Sequence, residues 1–254
     1  MTRVAGMSVS EPRRPVPPTG GPVRARAASP VLGVDACRSG WVGAILDASG
    51  RGRVRVVVAA TVAQVLDAAG EVAVVGVDIP IGLPDASRRA ADVLTRSFLG
   101  RAKASSVFTT PTRAAVEEAD YATANLRNRA LVGIGLSKQA HGLRRSILEV
   151  DAWVRRGVPC PVLEVHPEAS FAAMSGAALT TRKRTAEGAE HRRAVLAAVG
   201  IEAPREAPRG AATDDLLDAC AAAWSAYRVS RGEALTFPDA PEVFSDGLPA
   251  AIHV

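Results

Sequence analysis

The sequence predicts an α/β fold, a mixed β-sheet with helices on both faces. Two observations predict it. Three apolar runs near the start, residues 31–35, 41–47 and 53–60, read as consecutive strands, and the last two are joined through ASGRG, where Gly50 and Gly52 suit a hairpin turn. From residue 61 onward helical and strand patterns alternate, and such alternation builds a sheet layered with helices.

Each element follows from local chemistry. Thr61 is a good cap for a helix running to about Ala69, with Val62, Val65 and Leu66 on one face. Residues 72–78, VAVVGVD, are apolar almost throughout, as in a central strand covered on both sides. A helix is expected from Asp85 or Ser87 to Leu99, then a loop over 100–113, then helices over 117–131 and 137–156. Residues 162–165 read as a short strand, and Pro167 suits the first turn of the helix after it. Another helix covers 189–199. PREAPRGAAT is a loop. The last helix starts at Thr213, as cap, and stops at Gly232. There is no internal repeat.

The chain has 254 residues, 48% of them hydrophobic, enough for a sizeable core. Its net charge of +5 is uneven. Residues 1–30 carry five arginines against Glu11 alone, with six prolines and no apolar run. That tail is expected to be disordered, and residues 31–254 to form one domain. The remainder has 26 basic and 25 acidic residues, so the global charge is no nucleic-acid footprint. No run of 18 uncharged apolar residues occurs, and no membrane span is expected. Three widely spaced cysteines without a CxxC argue against a disulfide framework or zinc site and fit a reducing cytoplasm.

Two of the strands stop on an acid, Asp35 and Asp78, and the strand at 162–165 holds Glu164 just before His166-Pro167. In an open α/β sheet, groups at the carboxyl ends of parallel neighbours face one crevice, so these three acids are expected to converge. Like charges at close range raise each other's pKa. Mg²⁺ or Mn²⁺, which prefer oxygen ligands, remove that cost. The last helix adds Asp214, Asp215 and Asp218. At about 100° per residue, Leu216, Leu217, Cys220, Ala223, Trp224 and Tyr227 form one face. The acidic face continues with Ala221, Ala222 and Ser225, small residues that predict close approach to other structure. Asp215 and Asp218, three apart, can share one ion. Each acid also has a plain structural use: turn capping for Asp35 and Asp78, a helix first turn for Asp214 and Asp215. Their joint placement is what points to a site. His166 reads first as a structural hydrogen-bonder and second as a base or ligand. Ser105 and Ser106 lack a nucleophile elbow, and Cys37 lacks a partner base.

GVDACRSGWVGA, VDIPIGLP, LGRAKASSVFTTPTR, GLSKQ, LEVHPEASF and TDDLLDACAAAWSAYR, in that order over residues 31–232, resemble the domain-of-unknown-function 429 family, described as predicted ribonuclease H-like nucleases. The D-x-x-D-A-x-x-A pattern from Asp215 to Ala222 is similar to the last helix of Holliday-junction resolvases. The resemblance implies a ribonuclease H-like mixed five-stranded sheet with a helical insert, about residues 84–156, between strands four and five. It implies two metal ions, Mg²⁺ or Mn²⁺, held by acids of the first strand, the fourth strand and a late helix. Those positions are Asp35, Asp78, and Asp214 or Asp215 with Asp218. Glu164, on the fifth strand, has the next claim to a catalytic role, ahead of Glu168.

The expected activity is metal-dependent hydrolysis of nucleic acid, with two ions about 4 Å apart activating water and stabilising the leaving oxygen. Residues 88–113 carry a net +5, and residues 182–193 add five cations against two acids. Arg101, Lys103, Arg113 and Lys138 are the candidate phosphate contacts. Only Phe98 and Phe108 lie near them, so a base-stacking platform is not indicated. One rival is an ATP-using phosphotransferase of the actin and sugar-kinase class. DACRSGWVG offers Gly40 and Gly43 for its phosphate loop but no D-x-G. A non-catalytic partner-binding domain on the same fold is the other. The type of nucleic acid and the oligomeric state stay open.

Overall fold

The computed structural model describes residues 29–254, and the expected disordered tail over 1–30 lies almost wholly outside them. The chain opens with β1 (Val31–Cys37) and β2 (Gly40–Leu46), an antiparallel pair, followed by the two-residue β3 (Gly52–Arg53) and by β4 (Arg55–Ala59), which pairs antiparallel with β2. Helix α1 (Val62–Ala69) starts as expected at Thr61, whose hydroxyl accepts from the Gln64 N–H while the Gln64 side chain accepts from the Thr61 N–H. Strand β5 (Val75–Val77) then runs parallel to β1.

Five helices follow before the next strand: α2 (Ala90–Lys103), α3 (Arg113–Glu117), α4 (Tyr121–Val132), α5 (Lys138–Gly142) and α6 (Arg144–Arg155). Here the local pattern was coarse. Gly100, at φ +62° and ψ −176°, breaks the helical backbone where the loop was expected to begin, and a short further turn runs on to Lys103. The expected 117–131 helix is cut back to the Asp120 cap, and the 137–156 helix breaks at Leu143. Strand β6 (Val162–Val165) pairs parallel to β5. After it come α7 (Pro167–Ser175), α8 (Ala186–Ala198), a two-residue β7 (Ile201–Glu202) beside β3, and α9 (Thr213–Arg231). Among the described residues no helix is long and apolar enough to cross a membrane, and all three cysteines are free.

The chain ends in a hairpin, β8 (Thr236–Val243) and β9 (Pro249–His253), with β9 parallel to β6. The main sheet therefore has seven strands, in the order β4-β2-β1-β5-β6-β9-β8, where five were expected. The reason lies in the prolines. Pro238, Pro241 and Pro249 interrupt any strand pattern, but an outermost strand and a strand's first residue both tolerate proline. β8 is the outermost strand and Pro249 opens β9.

The sheet is covered on both faces. Leu32 and Val34 of β1, with Val75 and Val77 of β5, pack against Val62 and Val65 of α1 and Ile147, Val150 and Trp153 of α6. The other face receives α9, flanked by α7 and α8. α9 lies unusually close to the strands. A Cβ on Gly33 would stand 2.1 Å from both the Ala219 O and the Ala223 N, and one on Gly76 would stand 2.8 Å from the Ala222 O. Glycine on the strands and alanine on the helix remove the side chains that would hold the two layers apart. The helix is buried continuously from Leu216 to Ala226, as its small-residue face predicted.

Candidate metal centre

Strand alternation sets the site. On β1, Gly33 faces α9, so Asp35, two residues on, faces the same way. Gly76 likewise faces α9, and so does Asp78, whose N–H bonds the Val34 carbonyl at 2.9 Å and closes the end of β5 against β1. The second turn of α9 delivers Asp218 onto both. The structure brings one carboxylate oxygen from each of Asp35, Asp78 and Asp218 within 4.8 Å of the others. Asp35 is 8% exposed and Asp218 2%.

Burial and mutual repulsion act together here. Burial first, then the neighbouring Asp78, push the Asp35 carboxyl well above the usual range. Burial, then Asp218, push Asp78 up to about 8. Burial also raises Asp218, against the pull of Lys183. Lys183, on the loop between α7 and α8, donates to the Asp218 Oδ2 at 2.8 Å. The Asp218 Oδ1 is buried with no hydrogen-bond partner. Asp35 accepts its neighbouring Ala36 N–H, at 2.7 Å. A buried, partnerless oxygen among converging carboxylates is what a divalent cation satisfies, and the donor set is all oxygen, as Mg²⁺ or Mn²⁺ require.

The acids open into a cavity of about 390 Å³. The helical insert supplies one wall through Ser106, Phe108, Gln139 and Leu143. His166 and Glu168 line another part. Burial lowers the His166 pKa, and its Nε2 faces the Ser106 carbonyl at 3.4 Å, while Nδ1 has no partner. Glu168 is held by Arg192 and by Lys103, 3.3 Å away.

Not every expected residue arrives. Glu164 pairs in register with Val77, and Asp78 is one step further along β5, so Glu164 points to the opposite side of the sheet. There the buried Arg89 grips both its oxygens at 2.7 Å, and the Ile81 N–H donates to one of them. Asp214 faces Arg184 at 3.4 Å, and Asp215 accepts the Ala212 N–H at 2.9 Å; both line the cavity but stand outside the three-acid cluster. Of the candidate phosphate contacts, Lys103 lines the cavity. Arg113 is bound instead to Asp151 and Asp246, at 2.8 and 2.9 Å. Arg101 and Lys138 are exposed, and only Gln139, beside Lys138, reaches the cavity. The two basic windows also shrink, because Arg89 and Arg192 are fully buried. The Lys183 contact was visible in the sequence only as one member of an Arg-Lys-Arg run.

The cluster makes a prediction about the ion-free protein. In the unfolded chain Asp78 ionises near 3.8, whereas the folded chain keeps its proton up to about 8. The unfolded state therefore releases protons first as pH rises, and stability falls across that window. Thermal melts in EDTA are expected to show Tm decreasing from pH 4 to pH 8. Saturating Mn²⁺ should raise Tm most at the upper end. A Tm that is flat or rising over this window in EDTA contradicts the repulsive cluster.

Comparison with known proteins adds one positive finding. No curated protein and no solved structure matches the chain. The sequence profile described as "Protein of unknown function (DUF429)" matches residues 33–243, from within β1 through β8 and including Asp35, Asp78 and Asp218, and the chain belongs to that family.

Proposed function

We propose that the protein is a metal-dependent phosphodiester hydrolase, a nuclease acting on nucleic acid from a ribonuclease H-like core. The observation that carries the reading is the convergence of Asp35, Asp78 and Asp218 around the partnerless Asp218 Oδ1. The strand order β4-β2-β1-β5-β6, with the first three strands antiparallel and the next two parallel, supports it. So does the origin of the acids in the first strand, the strand beside it and a late helix.

Asp35, Asp78 and Asp218 would hold Mg²⁺ or Mn²⁺. The bound ion supplies an activated water and charge stabilisation at the phosphate. Lys103 and Lys183 offer ammonium groups to the phosphate oxygens. The neutral His166 imidazole stands ready to take a proton. Hydrolysis breaks one P–O ester bond, adds the water oxygen to phosphorus and returns a proton to the departing alcohol. The phosphotransferase reading draws little support from its two glycines. A Cβ on Gly40 would stand 2.5 Å from the Ala59 carbonyl, and one on Gly43 2.5 Å from the Val65 side chain, so packing accounts for both glycines.

The test is cleavage of a mixed panel of single- and double-stranded DNA and RNA with Mn²⁺, Mg²⁺ or EDTA. Metal-dependent cleavage is expected. Asp35→Asn and Asp78→Asn should each lower it by at least about 10²-fold, the scale of one electrostatic contact in such a site. A folded protein that cleaves nothing and shows no Tm shift with either metal overturns the reading, and leaves a binding role on the same fold.

A further inference from the structure

We propose that this site takes one divalent ion, not two, and that the Lys183 ammonium is its second positive centre. The inference rests on the metal-dependent reading above and replaces the expectation of two ions.

A second ion needs carboxylate oxygens beyond those of Asp35, Asp78 and Asp218. The other acids of the lining each already meet a donor or a cation: Asp214 meets Arg184, Asp215 the Ala212 N–H, and Glu168 Arg192, while the Glu168 Oε2 has no hydrogen bond and only the Lys103 ammonium 3.3 Å away. Within the cluster itself, Lys183 already occupies the Asp218 Oδ2. Only Oδ1 of that residue, which is 98% buried, has no partner.

Six carboxylates line the cavity. Lys103, Lys183 and Arg184 line it too, and Arg192 pairs with Glu168 from behind. Two negative charges are left over, which one divalent ion cancels. Before a substrate enters, a second ion would take the formal charge of these groups from zero to +2.

Lys183 sits on the loop that leads into α8, its ammonium 2.8 Å from the Asp218 Oδ2 and its side chain 40% exposed. An ammonium in the cavity lining can neutralise phosphate oxygens as an ion does, without coordination geometry of its own.

The experiment is Mn²⁺ binding to the full chain, followed by calorimetry and by electron paramagnetic resonance. Wild type is expected to bind one Mn²⁺ per chain and give the six-line spectrum of an isolated ion. Lys183→Met opens the Asp218 Oδ2 and removes a positive charge, so the stoichiometry should rise to two, with a spin-coupled spectrum from ions about 4 Å apart. Lys183→Arg keeps the charge and should stay at one. Two ions in wild type, or one in Lys183→Met, overturns the proposal. If wild type binds no Mn²⁺, or binding survives in Asp78→Asn with Asp218→Asn, the metal-dependent reading itself fails. The wild-type stoichiometry decides the matter alone should the methionine variant not fold.

Discussion

Arg89→Met is expected to destabilise the protein by about 3–5 kcal/mol, measured by chemical denaturation. Arg89 is 0% exposed and sits between two buried acids. Its guanidinium donates to both Glu164 oxygens, to the Asp92 Oδ1 and to the Ile81 carbonyl. Burial works against its charge, but Asp92 and Glu164 outweigh that and hold it firmly protonated. Removing the cation strands two carboxylates in a low-dielectric interior, and that penalty is larger than the net worth of the pair. The triple variant Arg89→Met, Glu164→Gln, Asp92→Asn should therefore recover much of the loss. The network also reaches function. It pins residues 81 and 82 just past Asp78, ties α2 to β6, and holds the Thr110 N–H through Asp92. A loss below about 1 kcal/mol in the single variant would show that the ion triad is not the clamp on the Asp78 loop.

Gly33→Ala is expected to abolish the Mn²⁺-induced rise in Tm while also lowering stability by about 1–3 kcal/mol, the usual scale of overpacking. The added methyl would meet backbone atoms of α9 at 2.1 Å, and backbone cannot rotate away as a side chain does. The helix must lift from β1, and Asp218 moves with it, out of the 4.8 Å cluster. Gly142→Ala is the control. Nothing lies within 4 Å of a Cβ there, so stability should stay level or rise slightly. Equal metal responses in Gly33→Ala and wild type would mean that close packing of α9 does not set the position of Asp218.

Much of this architecture is local and was legible. β1, the β2–β4 pair, β5, β6 and α9 all announce themselves by periodicity, by Gly50 and Gly52, or by the Thr61 and Gly232 boundaries. The insert was harder, since α3, α5 and the break at Leu143 are single turns whose limits depend on packing. The final hairpin was invisible because its prolines speak against a strand until its place at the sheet edge is known.

Local pattern alone placed acids near the ends of β1 and β5 and on one side of α9, because strand limits and helix faces are short-range properties, although β1 runs two residues past Asp35. Which acids share a site was set by long-range packing. Glu164 went to the far side of the sheet by one residue of register, and it met Arg89 from 75 residues away. Lys183 reached Asp218 across 35 residues. Whether a carboxylate is a ligand or half of an ion pair depends on what neutralises it, and those neutralising groups lie too far along the chain for any local pattern to reveal.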